Sequence, residues 1–287
     1  MTIEWRSFMK MRNWLMVLTG ALVLPASMSI AQSGADAAET ETIPTHPALT
    51  KPFFIAAGAY YPTSATNALL APSGGGTGVG VDFEDTLGLS ERKLTGIVSA
   101  RWRFAEKWRL EAEYFNLKRS ATRTLATEIE WGDTTYPVGT AVDSTFDITD
   151  TRLAVGYSFF KRKDKEIGAG LGLHVTGLDA SISGSGGQAS ASDVLAPLPV
   201  ANFYALFVLT DRWALAFRYD WLSLSYEEYS GDIRNLVFEL LYQPFDTIGF
   251  GIGTRTLTMD VEIDETDWRG TANLFYQGPQ AFVSVTF

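Results

Sequence analysis

The chain has 287 residues, of which 46% are hydrophobic and 13% aromatic, with 26 glycines, no cysteine and a formal net charge of −10 at pH 7. The acidic balance argues against a nucleic-acid surface, which needs clustered basic residues, and the lack of cysteine excludes disulfides as the staple of an exported fold. Beyond the first residues there is no apolar run of about 18 residues, so spanning a bilayer by helices is excluded.

The chain opens on a basic stretch, Met9 to Asn13, followed by an apolar run from Trp14 to Leu24 and by Pro25 to Gln32, with small residues at Ser29 and Ala31. This pattern predicts a secretory signal peptide over residues 1–31, cleaved near Ala31. Residues 32–51 are rich in Ala, Thr, Glu and Pro without periodicity and read as a flexible periplasmic lead-in. Residues 52–287 then form the folded domain.

From Phe53 the pattern changes to alternating segments. Four short polar connections, at Ala105–Lys107, Arg162–Glu166, Thr210–Arg212 and Pro244–Asp246, carry the hairpin signature. Longer polar stretches lie between them, near Pro62–Arg92, Ala121–Ser144, Ser181–Leu195, Tyr226–Asp232 and Asp260–Arg269. Short turns alternating with long loops are the asymmetry of outer-membrane barrels. The segments predict ten antiparallel strands, near Phe53–Tyr61, Leu94–Phe104, Trp108–Ser120, Phe146–Lys161, Ile167–Asp179, Pro199–Leu209, Trp213–Ser225, Ile233–Gln243, Ile248–Met259 and Leu274–Phe287. Eight or twelve strands stay open, because Val79–Glu84 and Thr122–Trp131 read equally as strand extensions or as separate loop ribbons. The fold class is all-β, a transmembrane up-and-down barrel.

Alternation alone does not say which face is outside; side-chain size does. Ile167, Ala169, Leu171, Leu173 and Val175 alternate with Gly168, Gly170, Gly172, His174 and Thr176, and Ile248, Phe250 and Ile252 alternate with Gly249, Gly251 and Gly253. Glycines on the polar face suit a crowded lumen. The lumen is therefore expected to hold a polar network of Arg101, Arg103, Arg109, Glu111, Glu113, Arg152, His174, Arg218, Asp220, Glu239 and Arg255, in which opposite charges pair. The lipid face carries Val98, Leu110, Leu153, Phe207, Leu215, Phe238 and Leu240. Near the short turns, Trp102, Phe104, Trp108, Phe159, Trp213 and Tyr242 form an expected aromatic girdle, and Tyr114, Tyr219 and Trp221 begin a second.

The last strand ends on an alternating Ala281, Val283, Val285, Phe287 row. Together with the signal peptide and the alternation of short turns with long loops, this terminal Phe287 resembles the small bacterial outer-membrane β-barrel proteins, the group of the outer-membrane protein A and W types. The stretches Val81–Leu89, Trp131–Pro137 and Arg109–Phe115 look like those of members of that group. The resemblance spans roughly Pro52 to Phe287. It implies residence in the cell outer membrane, among its lipid and lipopolysaccharide, and assembly through the C-terminal strand with Phe287 as the signal read by the barrel-assembly machinery. It carries over no catalytic or binding residue. There is no peptidoglycan-binding domain after the barrel, so tethering of the cell wall is not expected.

His174 and Thr176, two residues apart with Asp179 nearby, have the spacing used by lipid-modifying barrels, but both fall on the lumen face, so an interior hydrogen-bonding histidine is the preferred reading. His46 is too distant to join it in a metal site. The acidic groups Asp82, Glu84, Asp85 and Asp260–Asp267 read as solvated loop charge, and Gly74–Gly76 and Gly184–Gly187 as loop tips. The function expected is therefore non-enzymatic and cofactor-free: a structural or small-solute passage barrel with a charged, constricted lumen. A lipid-modifying enzyme using His174 and a surface adhesion or recognition barrel are the alternatives.

Overall fold

A period of two puts successive side chains on opposite faces of a strand, and each alternating segment of this chain is accordingly a strand. A computed structural model describes residues 43–72, 80–131, 134–184, 189–226, 229–264 and 268–287. The expected signal peptide and its cleavage point, the lead-in up to residue 42, the tip at Gly74–Gly76, Gly186, Gly187, Glu265 and Asp267 lie outside the described residues.

A short helix α1 (Pro47–Thr50) precedes β1 (Phe53–Tyr60), β2 (Thr63–Pro72), β3 (Val81–Asp82), β4 (Thr95–Trp102), β5 (Trp108–Thr124), β6 (Ile129–Trp131) and β7 (Thr134–Tyr136). Then follow β8 (Ala141–Lys161), β9 (Lys165–Gly184), β10 (Ala189–Val208), β11 (Trp213–Tyr226), β12 (Tyr229–Tyr242), β13 (Ile248–Asp264) and β14 (Trp268–Thr286). One register carries β1 and β2 along β14: Tyr60 faces Gln280 and Thr63 faces Gln277. The two therefore act as a single strand interrupted at Tyr61 and Pro62. Pairing of β1 with both β4 and β14 closes a ten-stranded antiparallel barrel whose neighbours follow chain order.

The faces divide as side-chain size implies. Leu171 is 75% exposed and Phe250 and Ile252 point outward, whereas Arg152, Glu166, His174 and Asp220 are fully buried. The glycine rows make room for large lumen side chains. A Cβ at Gly168 would lie 2.2 Å from the Tyr204 ring and one at Gly251 2.1 Å from the Phe282 ring.

Several expectations are corrected. Most strands run well past their expected outer ends; β10 begins at Ala189 rather than Pro199 and contains Pro197 and Pro199. Val81 and Asp82 form β3, an edge ribbon paired with Asn67 and Ala68 of β2. The Thr122–Trp131 ambiguity resolves as an extension of β5 to Thr124 followed by the separate ribbon β6–β7. Residues 43–51, the end of the segment expected to be flexible, are ordered: Ala48 and Leu49 of α1 are buried because an apolar floor awaits them. Glu166, expected in a turn, is the second residue of β9 and buried.

The interior is not charged throughout. On β5 the outward residues Leu110, Ala112 and Tyr114 give way to Asn116 and Lys118, while the inward Arg109, Glu111 and Glu113 give way to Phe115 and Leu117. On β9 the outward Leu171, Leu173 and Val175 give way to Gly177 and Asp179, and the inward His174 and Thr176 to Leu178, Ala180 and Ile182. On β13 the outward Phe250 and Ile252 yield to Thr254, Thr256 and Thr258, and the inward Arg255 to Leu257 and Met259. The apolar and polar faces thus exchange partway up each of these strands, whereas the outer face of β10 stays apolar. Below the exchange, lipid outside demands apolar residues and the lumen takes the polar ones; above it, water outside reverses the assignment. The lower zone holds three to five outward residues per strand, and five, at ~3.3 Å per residue and the usual tilt, make a band of about 25 Å. The upper zone is a solid apolar core joining Tyr60, Phe115, Ile148, Leu178, Leu198, Ile233, Leu257 and Tyr276 with Phe83 and Trp131 of the connecting segments.

Candidate functional site

The lumen is the candidate site, and it is layered. Its floor, at the short-turn end, is α1, whose Ala48 and Leu49 pack with Phe54, Ala56, Leu206, Ala214, Leu241 and Phe282. The Ala48 carbonyl accepts from Arg101 Nη2 at 2.6 Å and Arg103 Nη2 at 3.1 Å. The Thr45 amide donates to Asp211 Oδ1 at 2.8 Å, tying the segment to the β10–β11 turn. His46 caps α1: its Nδ1 accepts from the Ala48 amide at 3.1 Å, and its ring is buried. Burial holds the His46 pKa below the ordinary histidine value, with the Arg212 backbone carbonyl as an acceptor opposing and the charge of Arg101 acting in the same sense as burial.

Above the floor lies an ionic layer. Arg103 and Glu166 form a bidentate pair at 2.6 and 2.7 Å. Glu166 also accepts from Ser158 Oγ at 2.5 Å. Arg109 pairs with Glu111 at 2.8 Å and lies over the Tyr204 ring. Arg152 grips Asp220 through Nε and Nη2 at 2.9 and 2.8 Å and reaches Glu111 at 3.1 Å. Asp220 further accepts from Asn202 at 2.7 Å and Asn235 at 3.1 Å. Arg218 and Arg255 share Glu113, at 2.8 and 2.6 Å. Gln280 links the Arg255 Nε to Glu239, at 3.3 and 2.7 Å. His174 Nδ1 sits 3.0 Å from Asp150, which also accepts from Thr176 Oγ1 at 2.8 Å. Its Nε2 faces Asp220 at 3.5 Å. A charge-assisted hydrogen bond made in a dry interior is strong, and paired charges avoid the cost an isolated one would carry.

The expected network residues thus gather in one layer, with Arg101 at its lower edge. Asp150, Ser158, Glu166, Asn202, Tyr204, Asn235 and Gln280 belong to it as well and were missed. Asp150 shares the parity of Arg152 and was legible on that ground; Glu166 was hidden by its place in a charged connection. A void of about 10 Å³ beside Glu113, Glu239, Arg255 and Gln280 has room for about one water. Among the described residues no group of three or more His, Asp and Glu side chains is placed to hold a metal ion.

Over the upper core the segment after β3 folds inward as a lid. Phe83 lies edge-on to Trp131 and Phe146, with ring centroids 5.6 and 5.0 Å away. Glu84 pairs with the buried Arg119 and accepts from the Thr66 amide at 2.7 Å. Asp82 and Glu84, read from sequence as solvated loop charge, are therefore part of the lid: Asp82 lies in β3 and Glu84 is bound within the barrel.

Outside, the expected girdle residues Trp102, Phe104, Trp108, Phe159 and Trp213 are exposed, with Tyr242 half-buried against Trp213 at 4.4 Å. Phe287 stacks on Phe53, Phe53 on Trp102, and the chain of rings continues through Phe104 and Trp108 to Tyr157. Aromatic rings at this level suit the boundary between headgroups and acyl chains.

No family model and no curated protein matches the sequence. Among solved structures the chain is similar to the outer membrane protease OmpT from Escherichia coli, with a TM-score of 0.50 and 8% identity over 82% of this chain and 97% of that one. It is also aligned with Ail, the attachment invasion locus protein of Yersinia pestis, at a TM-score of 0.30 and 9% identity over 80% and 99% of the two chains. A FadL homologue of Pseudomonas aeruginosa aligns at 0.36 and 8% over 84% and 92%. The first likeness supports an outer-membrane barrel fold and nothing more specific; the other two carry no argument.

Proposed function

We propose that the protein is a closed, non-enzymatic barrel of the cell outer membrane, exported by a signal peptide cleaved near Ala31, with a structural role rather than one in solute passage. The observation that supports this is the filling of the lumen at every level: α1 at the floor, paired ions in the middle, an apolar core under the Phe83 lid above. A permeation path would have to break bidentate pairs such as Arg152–Asp220 and then cross a mainly apolar plug that holds the Arg119–Glu84 pair. Burial of His174 within that layer favours an interior histidine over lipid-modifying chemistry. Its partners on this reading are outer-membrane lipid and lipopolysaccharide, and the barrel-assembly machinery acting on β14 and Phe287. Cell fractionation followed by planar-bilayer recording tests it: a heat-modifiable band in the outer-membrane fraction and electrically silent membranes are expected, whereas steady openings would overturn the closed reading.

The projection of solid-cored strands above the lipid band supports a second reading, a surface recognition barrel. Shortening the segment between β5 and β8 would then abolish binding to the recognised surface while leaving the heat-modifiable fold intact.

A further inference from the structure

Between β10 and β11 the wall of the barrel has an unpaired stretch. β9 and β10 pair from Lys165–Phe207 up to Ser183–Ala189, but β10 and β11 pair only from Val208–Ala214 to Ala201–Trp221, although both strands continue beyond. Were that register extended, Pro199 would face Ser223 and Pro197 would face Ser225. Proline has no amide hydrogen to give a ladder. The two prolines share one parity, so their missing donors fall on one edge, and the unbroken ladder to β9 shows that this edge is the one toward β11. Behind the gap Leu198 reaches past β11 toward Gly231 of β12.

Side chains at this seam break the polarity rule of the upper zone. Leu224 shares the lumen parity of Arg218 and Asp220 yet is 49% exposed, and Leu222 is only half-buried. On the outer side Leu195 is 71% exposed beside Pro197 and Pro199, where outward residues at the same height on β8 and β13 are mostly Thr and Asp. The patch is continuous with the lipid face, since Trp221 and Phe203 of the band lie directly below it.

We propose that the β10–β11 seam is a lipid-binding slot that seats one acyl chain of an outer-leaflet lipid between Leu195 and Leu224, against Leu222. The chain completes the apolar wall that the prolines leave open, and burying Leu224 and Leu195 supplies the hydrophobic gain. The slot rests on the membrane-inserted reading above, and its test separates the two. The full-length protein is reconstituted in phosphatidylethanolamine and phosphatidylglycerol vesicles doped with a phosphatidylcholine carrying an acyl-chain diazirine, and labelled residues are mapped after illumination. Labelling of Leu222 and Leu224 is expected together with that of Phe203 and Phe217, with none at lumen-facing Leu257. Replacement of both prolines, Pro197→Val with Pro199→Val, restores the donors and is expected to reduce labelling at 222–224 severalfold while labelling of Phe217 is unchanged. Labelled Phe203 and Phe217 with unlabelled Leu222 and Leu224 would overturn the slot alone; absence of label from all four would overturn membrane insertion itself. Unchanged labelling in the double variant would also count against the slot.

Discussion

Asp220 accepts hydrogen bonds from Arg152, Asn202 and Asn235 and faces His174, so four elements of the wall converge on one carboxylate. Its removal leaves Arg152 buried without its bidentate partner, the costly way to break such a pair. Asp220→Ala is expected to lower unfolding stability in vesicles by about 3–5 kcal/mol, read from urea midpoints at constant slope; a loss under about 1 kcal/mol would show that water or Glu111 replaces the carboxylate. Gly168 is the steric counterpart. A methyl there meets the Tyr204 ring, so Gly168→Ala should cost about 1–3 kcal/mol. In a Tyr204→Leu background the same change should be nearly neutral, because the colliding atoms are gone; equal costs in both backgrounds would move the cause to the backbone.

At the scale of elements, α1 closes the short-turn mouth of the barrel through a neutral, buried His46. The docked ring resists protonation while a released one has its ordinary pKa, about 6.5. Docking is therefore fully favoured above that value and weakens as pH falls through and below it. Hydrogen exchange of the amides of residues 48–51 should accelerate between pH 7 and pH 5 by more than the intrinsic rate change, and His46→Gln should remove that pH dependence; exchange that follows only the intrinsic rate would rule the latch out. Neither α1 nor its docking was legible in the sequence. A four-residue helix carries too little periodicity to read, and an apolar floor assembled from five strands is invisible to local pattern. The ten strands were legible because each short turn is flanked by strict alternation, as at Trp108–Tyr114 and Phe250–Ile252. The outer extensions were not, since Pro197 and Pro199 read as a strand start; only the pairing with β9 shows that an edge tolerates them. The lumen network was legible by parity alone, which names the residues facing inward but not which carboxylate each arginine takes.

Across the whole molecule the exchange of apolar and polar faces acts as a depth gauge. Sinking the barrel by one pleat would drive Asn116, Arg234 and Thr254 into hydrocarbon, and raising it would bring Leu153, Val175 and Ile252 into water. Both displacements meet resistance on all the strands where the faces exchange, which leaves out the β10 seam, so vertical position is set by the same register that closes the ring. A bilayer of mismatched thickness would consequently have to deform around this protein, rather than the protein slide or tilt to suit the bilayer.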